Sequence, residues 1–186
     1  MSVAAICDGP LSKAMERIGE GWPSDRRSIF IEHRATVICM RALNQLRLSI
    51  TPAVTPKLTA IGASPSGDPF FLPGIIASLV LYEAGFHDIN LGPDTPIDVI
   101  IDAVEEEKPR LVWLALGTPL RSRFQIAEIE RLLQIATENQ AQLVIGGRYG
   151  EDVLVDDITR FTAMQPFFEF ARQIVAANDP STNLKP

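Results

Sequence analysis

The chain has 186 residues, 46% of them hydrophobic and 22% charged, with a formal net charge of −6. That is enough for one globular domain with a full core plus a small helical addition. The acidic balance argues against direct nucleic-acid binding, because phosphate recognition needs a basic stripe. The longest apolar run, Ile75 to Tyr82, is broken by Ser78 and is too short to span a bilayer. No basic region followed by a long apolar run marks a signal peptide. Cys7 and Cys39 lack metal-ligand spacing and read as free thiols, which points to a cytoplasmic protein.

In chain order, residues 1–50 form a helical segment. Leu11 to Glu20 reads as a short helix, and Gly21, Trp22 and Pro23 separate it from a longer one, Phe30 to Leu48. Two helices cannot enclose a core, so they must pack on another domain or chain. Residues 51–56, with Pro52 and Pro56, read as a linker.

From 57 to 178 the pattern alternates between strand and helix. Leu58 to Ile61 is the first strand, followed by a Gly62 to Gly74 loop and a helix from Ile75 to Ala84. Asp88 to Leu91 is the second strand. Gly92, Pro93, Asp94 and Pro96 make a turn, and Pro96 opens a helix reaching Glu107. Leu111 to Leu116 is a strongly apolar third strand, and Phe124 to Asn139 an amphipathic helix. Leu143 to Ile145 is the fourth strand, closed by Gly146 and Gly147. A weaker strand at Thr159 to Ala163 precedes a helix from Phe167 to Ala177, and residues 179–186 read as a disordered tail.

This alternation implies βαβ crossovers and an α/β fold with a five-stranded parallel sheet in the order 2-1-3-4-5. Ligands of such folds bind at the carboxyl ends of the strands, where the chain reverses direction. The loops to watch are therefore Gly62 to Gly74 and Gly117 to Ser122, which includes Thr118.

The segment Ala60 to Leu116 resembles the flavodoxin-like cobalamin-binding domains. Ala84-Gly85-Phe86, Leu91-Gly92, the Asp94 to Pro96 turn and the pair Gly146-Gly147 match that family's order of motifs. The resemblance implies that the glycine pair lets a nucleotide tail approach the backbone. The helical segment is similar to the cap of light-responsive, cobalamin-dependent regulators of the MerR type. Trp22 is followed at the family's spacing by Glu32-His33. In that family these side chains lie over the upper face of the corrin, which makes His33 a possible upper axial ligand.

The departures are as informative. Asp68 fills the acidic position of the family's loop, but Phe70 stands where a histidine ligates cobalt from below. Pro73 holds the loop glycine position, with Gly74 one residue later, and Ala115 replaces a serine. Only about two of the four family cap helices are evident, and no DNA-binding segment.

The functional reading is a sensory module that holds a flat tetrapyrrole between cap and sheet and is linked to transcriptional regulation. Cobalamin is the first candidate, without the usual histidine ligand; haem or biliverdin suits the slot that Phe70 and Phe71 would line. Plain alternatives stand beside it. Trp22 could pack a helical hairpin, His33 could be an interface histidine, and Phe70 and Phe71 could fill a hole left by a lost ligand. The chain would then be a ligand-free interaction module that dimerises or binds a partner regulator. A corrinoid methyl carrier ranks last, since that chemistry needs control of cobalt from below. No catalytic constellation is visible, so no enzymatic activity is expected.

Overall fold

The computed structural model describes residues 2–20, 25–52, 54–120 and 122–178. Its sheet is built around β3 (Leu111–Ala115), an uninterrupted apolar stretch buried at every position. Such a run fits a strand covered on both faces. β1 (Leu58–Ala63) and β4 (Gln142–Gly146) flank it, β2 (Phe86–Asn90) lies outside β1, and β5 (Thr159–Phe161) outside β4. All pairs are parallel, and the order β2-β1-β3-β4-β5 is the one the sequence implies.

Alternation along β3 divides the core. Leu111, Trp113 and Ala115 face one layer and Val112 and Leu114 the other. The second layer holds α5 (Ile97–Glu107) and α6 (Arg123–Glu138), which bury Ile97, Ile100, Val104, Leu132 and Ala136. The first holds α4 (Phe71–Ala84) and α7 (Met164–Ala177), packed on each other and on the N-terminal helices. None of the described helices is long and apolar enough to cross a membrane.

The N-terminal segment starts earlier than its periodicity suggests. α1 (Val3–Ile6) continues through a π-helical turn, Cys7–Leu11, into α2 (Ser12–Gly19). Pro10 lies inside this π turn. The wider π turn absorbs the missing donor of Pro10, so the helix does not stop. Val3, Ala4 and Cys7 are buried against α4 and α7, and the Val3 amide donates to Glu83. Asp8 accepts from the amides of Met164 and Gln165, capping the first turn of α7.

α3 (Arg26–Ser49) begins on an N-cap, Asp25, which accepts from the Ser28 amide at 2.7 Å. Leu43 is its only fully buried residue among those described. Two contacts fix its direction. Cys39 meets Met15 at 3.7 Å, near the first turn of α4, and the Arg47 guanidinium lies 4.1 Å over the ring of Tyr82, near the end of α4. Arg47 also pairs with buried Asp88 on β2 at 2.6 Å. α3 therefore runs beside α4 in the same direction. At 1.5 Å per residue it is roughly 36 Å long against about 21 Å for α4, so its first half overhangs the carboxyl edge of the sheet. This refines the expected cap placement. The helices before residue 50 pack on α4 and α7, and Leu11 and Met15 flank the carboxyl ends of β3 and β4 while no described residue of α2 is buried.

Candidate functional site

At the carboxyl ends of β1 and β3 the two loops singled out in the sequence are tied together by one side chain. Asp68, 1% exposed, accepts from the backbone amides of Gly117 (2.5 Å) and Thr118 (3.0 Å) through one oxygen. Its other oxygen accepts from the Phe70 amide at 3.1 Å. The backbone of Asp68 is held as well, donating to Pro65 and accepting from Asp94. The Asp94 carboxylate in turn accepts from Gly67 at 2.7 Å. The expected crevice between β1 and β3 is thus bridged by a carboxylate whose acceptor capacity goes to backbone donors.

Phe70 and Phe71 follow at the start of α4, and both rings are about half exposed. The helix begins at Phe71 instead of Ile75, because Pro73 falls in its first turn, where a missing N–H costs nothing. Phe70 lies against Gly117, where a Cβ would come within 2.7 Å of its ring and 3.2 Å of Asp68. Any side chain at 117 would push Phe70 or the carboxylate aside. Gly92 sits at the outer end of the turn after β2, with its amide bound to Asn90, and open space where a side chain would be.

A cavity lies on the α4–α7 face, one strand over from the expected crevice. It has a volume of about 230 Å³. Ala115, Gly146 and Gly147 form its floor at the carboxyl ends of β3 and β4. Leu72 and Ile76 of α4, Cys7 and Met15 of the N-terminal helix, and Phe161 and Phe167 near α7 form its walls. Gly147 has φ +93°, and a Cβ there would lie 2.5 Å from the Leu116 carbonyl oxygen, so only glycine fits. At Gly146 a Cβ would be 3.2 Å from the Phe161 carbonyl. Trp113 also lines the cavity, and its buried indole Nε1 has no hydrogen-bond partner among the described residues. Burial, then the carboxylates of Asp8 and Glu83, push the Cys7 thiol up to about 11. At neutral pH it is a protonated, weakly nucleophilic wall of the cavity.

The structure therefore brings together Asp68, Phe70, Gly117 and Thr118 in one cluster, and Gly146 and Gly147 in the adjoining cavity. Glu32 and His33 join neither. Glu32 accepts from Thr36 on its own helix at 3.0 Å and lies 3.6 Å from His33, whose side chain is 73% exposed. No described hydrogen bond or ion pair links either to Phe70 or to the 117–122 loop. Trp22 and residues 179–186 lie outside the described residues. Sequence reasoning missed Cys7, Met15, Trp113, Phe161 and Phe167 as cavity residues. Only Trp113, a bulky residue in a central strand opposite Gly62, carried a signal: a Cβ at Gly62 would overlap the indole.

No family model matches the chain. Over 143 residues it is 27% identical to the trimethylamine corrinoid protein of Methanosarcina barkeri, a stretch covering 72% of this chain and 63% of that relative's length. Among solved structures, the monomethylamine corrinoid protein of Methanosarcina barkeri superposes with a TM-score of 0.69 at 14% identity, over 94% of this chain and 84% of that one. A cobalamin-binding protein from Desulfitobacterium hafniense gives 0.52 at 20% identity, over 92% and 85%. The methanol:cobalamin methyltransferase complex of Methanosarcina barkeri gives 0.52 at 17%, over 98% and 71%. The fold is that of cobalamin-binding proteins, N-terminal helices included.

Proposed function

We propose that this chain is a corrinoid-binding module that holds its ligand by the nucleotide tail and leaves cobalt without a protein ligand from the α4 loop. The observation that carries the reading is the cavity floored by Ala115, Gly146 and Gly147. An apolar cavity of roughly 150 Å³ takes up benzene, so 230 Å³ admits a two-ring heterocycle such as the benzimidazole that ends the tail of cobalamin. Gly146 and Gly147 would present backbone to the tail beside the Ala115 methyl, and the unpartnered Trp113 indole N–H leaves one donor nearby. These residues fit the group. The position below cobalt does not, because a phenyl ring offers no lone pair, and Asp68 is engaged with three amides.

A bound corrinoid would supply the chemistry of its cobalt; this chain's residues would bind and orient it, with Phe70 and Phe71 offering apolar surface beneath the ring. Catalytic groups would come from a partner. The relatives' names rank cobalamin ahead of haem or biliverdin. They also move the carrier reading, last on sequence grounds, ahead of the light-sensing regulator, since two of them say corrinoid protein, one says methyltransferase complex and none says transcription.

The test is an absorbance titration with hydroxocobalamin of the unmodified chain and of Phe70→His. The unmodified chain is expected to bind and to lose the bands of nitrogen-ligated cobalt, because the benzimidazole leaves cobalt for the cavity and nothing replaces it. Phe70→His is expected to bind and keep nitrogen-ligated bands as imidazole coordinates. Failure of both chains to bind would defeat the reading, and histidine-type bands in the unmodified protein would defeat its cobalt half.

A further inference from the structure

The side of α3 turned away from α4 carries an unusual outer face. Phe30, Arg34, Val37, Arg41 and Leu48 follow spacings of 4, 3, 4 and 7, which place them along one line of a helix, opposite buried Leu43. Ile38 lies beside that line. The apolar members are exposed, Phe30 by 60% and Leu48 by 80%. Arg34 and Arg41 have no hydrogen-bond or ion-pair partner among the described residues, unlike Arg47 on the packed side, which holds Asp88. The helix contains five arginines and one acid in a chain whose net charge is −6.

The complement of this face lies on the same chain, after β4. Glu151, Asp152, Val153, Leu154, Val155, Asp156 and Asp157 form a loop with two acids on each side of a Val-Leu-Val centre. Val153 and Val155 are buried, so Leu154 points out and is 87% exposed, the highest value among the exposed large apolar residues. The loop is held rigidly. The Arg160 guanidinium is spent on the carbonyls of Val153, Val155 and Ile158, and neutralises none of the four carboxylates. Those carboxylates have no described ion-pair partner.

We propose that the chain self-associates through these two surfaces: Leu154 of one copy seats on Val37 and Ile38 of the other, with Arg34 and Arg41 meeting the acids on either side. Arg34 and Arg41 stand about 10 Å apart along the helix, which frames an apolar patch the width of one side chain. α3 against α3 would oppose arginine to arginine, whereas helix against loop pairs unlike charges and covers an exposed leucine. The two surfaces belong to opposite ends of the sheet, α3 beside α4 and β2, the loop before β5. They therefore meet between copies, and a two-fold arrangement makes the contact twice.

Sedimentation velocity across the micromolar range tests this with the full chain. The unmodified protein is expected to dimerise. Arg34→Glu/Arg41→Glu and, separately, Glu151→Lys/Asp156→Lys should each weaken association at least about tenfold, and Leu154→Ala should weaken it without changing charge. All positions are exposed, so melting curves should stay close to the parent. An equimolar mixture of the two charge-reversed proteins should recover the dimer, because one contact then pairs reversed with reversed and the other parent with parent. A monomeric parent, loss in the helix variant with the loop variant unaffected, or no recovery on mixing would each overturn the proposal.

Discussion

Asp68 illustrates how far a motif position carries. Its acidic identity was legible, and so was its place in a loop at the sheet's carboxyl edge. Its partners were not, because Gly117 and Thr118 lie some fifty residues away and offer only backbone amides, which no side-chain pattern announces. Its role in the fold can be weighed. Asp68→Ala leaves two amides of the β3 loop and that of Phe70 short of an acceptor, and a buried unsatisfied donor costs about 1–3 kcal/mol. Some of that cost is relieved by water entering at the edge. The expected loss of unfolding free energy in urea is about 2–4 kcal/mol, and a loss near zero would mean that the clamp does not hold these loops. Phe70 was legible in the opposite sense, through the histidine it replaces, whereas its contact with Gly117 follows only from the closeness of β1 and β3.

At the scale of elements, helices and strands were read best where one signal dominated. α5, α6 and β3 fall within a residue or two of their expected bounds, since Pro96, the amphipathic stripe of 124–139 and the apolar run of 111–116 are local signals. Errors cluster at proline. Pro10 hid the first helical turns and Pro73 delayed the start of α4, because a breaker in mid-helix is harmless in a π turn or a first turn. α3 was legible as a helix but not in its docking, which rests on Leu43, Arg47 and partly buried Leu46. Leu43→Ala should therefore loosen the helix more than the domain. Leucine-to-alanine changes in cores cost about 2–5 kcal/mol, and α3 makes few other buried contacts. Hydrogen exchange is expected to rise across Arg26–Ser49 while β3 stays protected. Equal loss in both would show that α3 and the sheet unfold as one unit.

For the whole molecule, the sheet order followed from the alternation of strand and helix, because parallel crossovers leave few topologies. The cavity did not, since its walls come from the first helix, β3, β4 and the start of α7, and only packing assembles them. The same geometry separates two ways of holding a corrinoid. If the tail enters the cavity, binding energy resides there; if the ring merely rests on Phe70 and Phe71, the tail contributes nothing. Cobinamide keeps the corrin ring and lacks the nucleotide, so thermal unfolding with each ligand distinguishes them. A ligand at about 100 times its Kd adds roughly 2.7 kcal/mol, which for a chain of this size raises Tm by roughly 5–10 °C. Cobalamin is expected to give that rise and cobinamide little of it. In Ala77→Phe, whose ring would fill the cavity beside Ile76, the difference between the two ligands should vanish. Equal shifts for both ligands in the unmodified chain would place the corrinoid on the aromatic edge and leave the cavity without a part in binding.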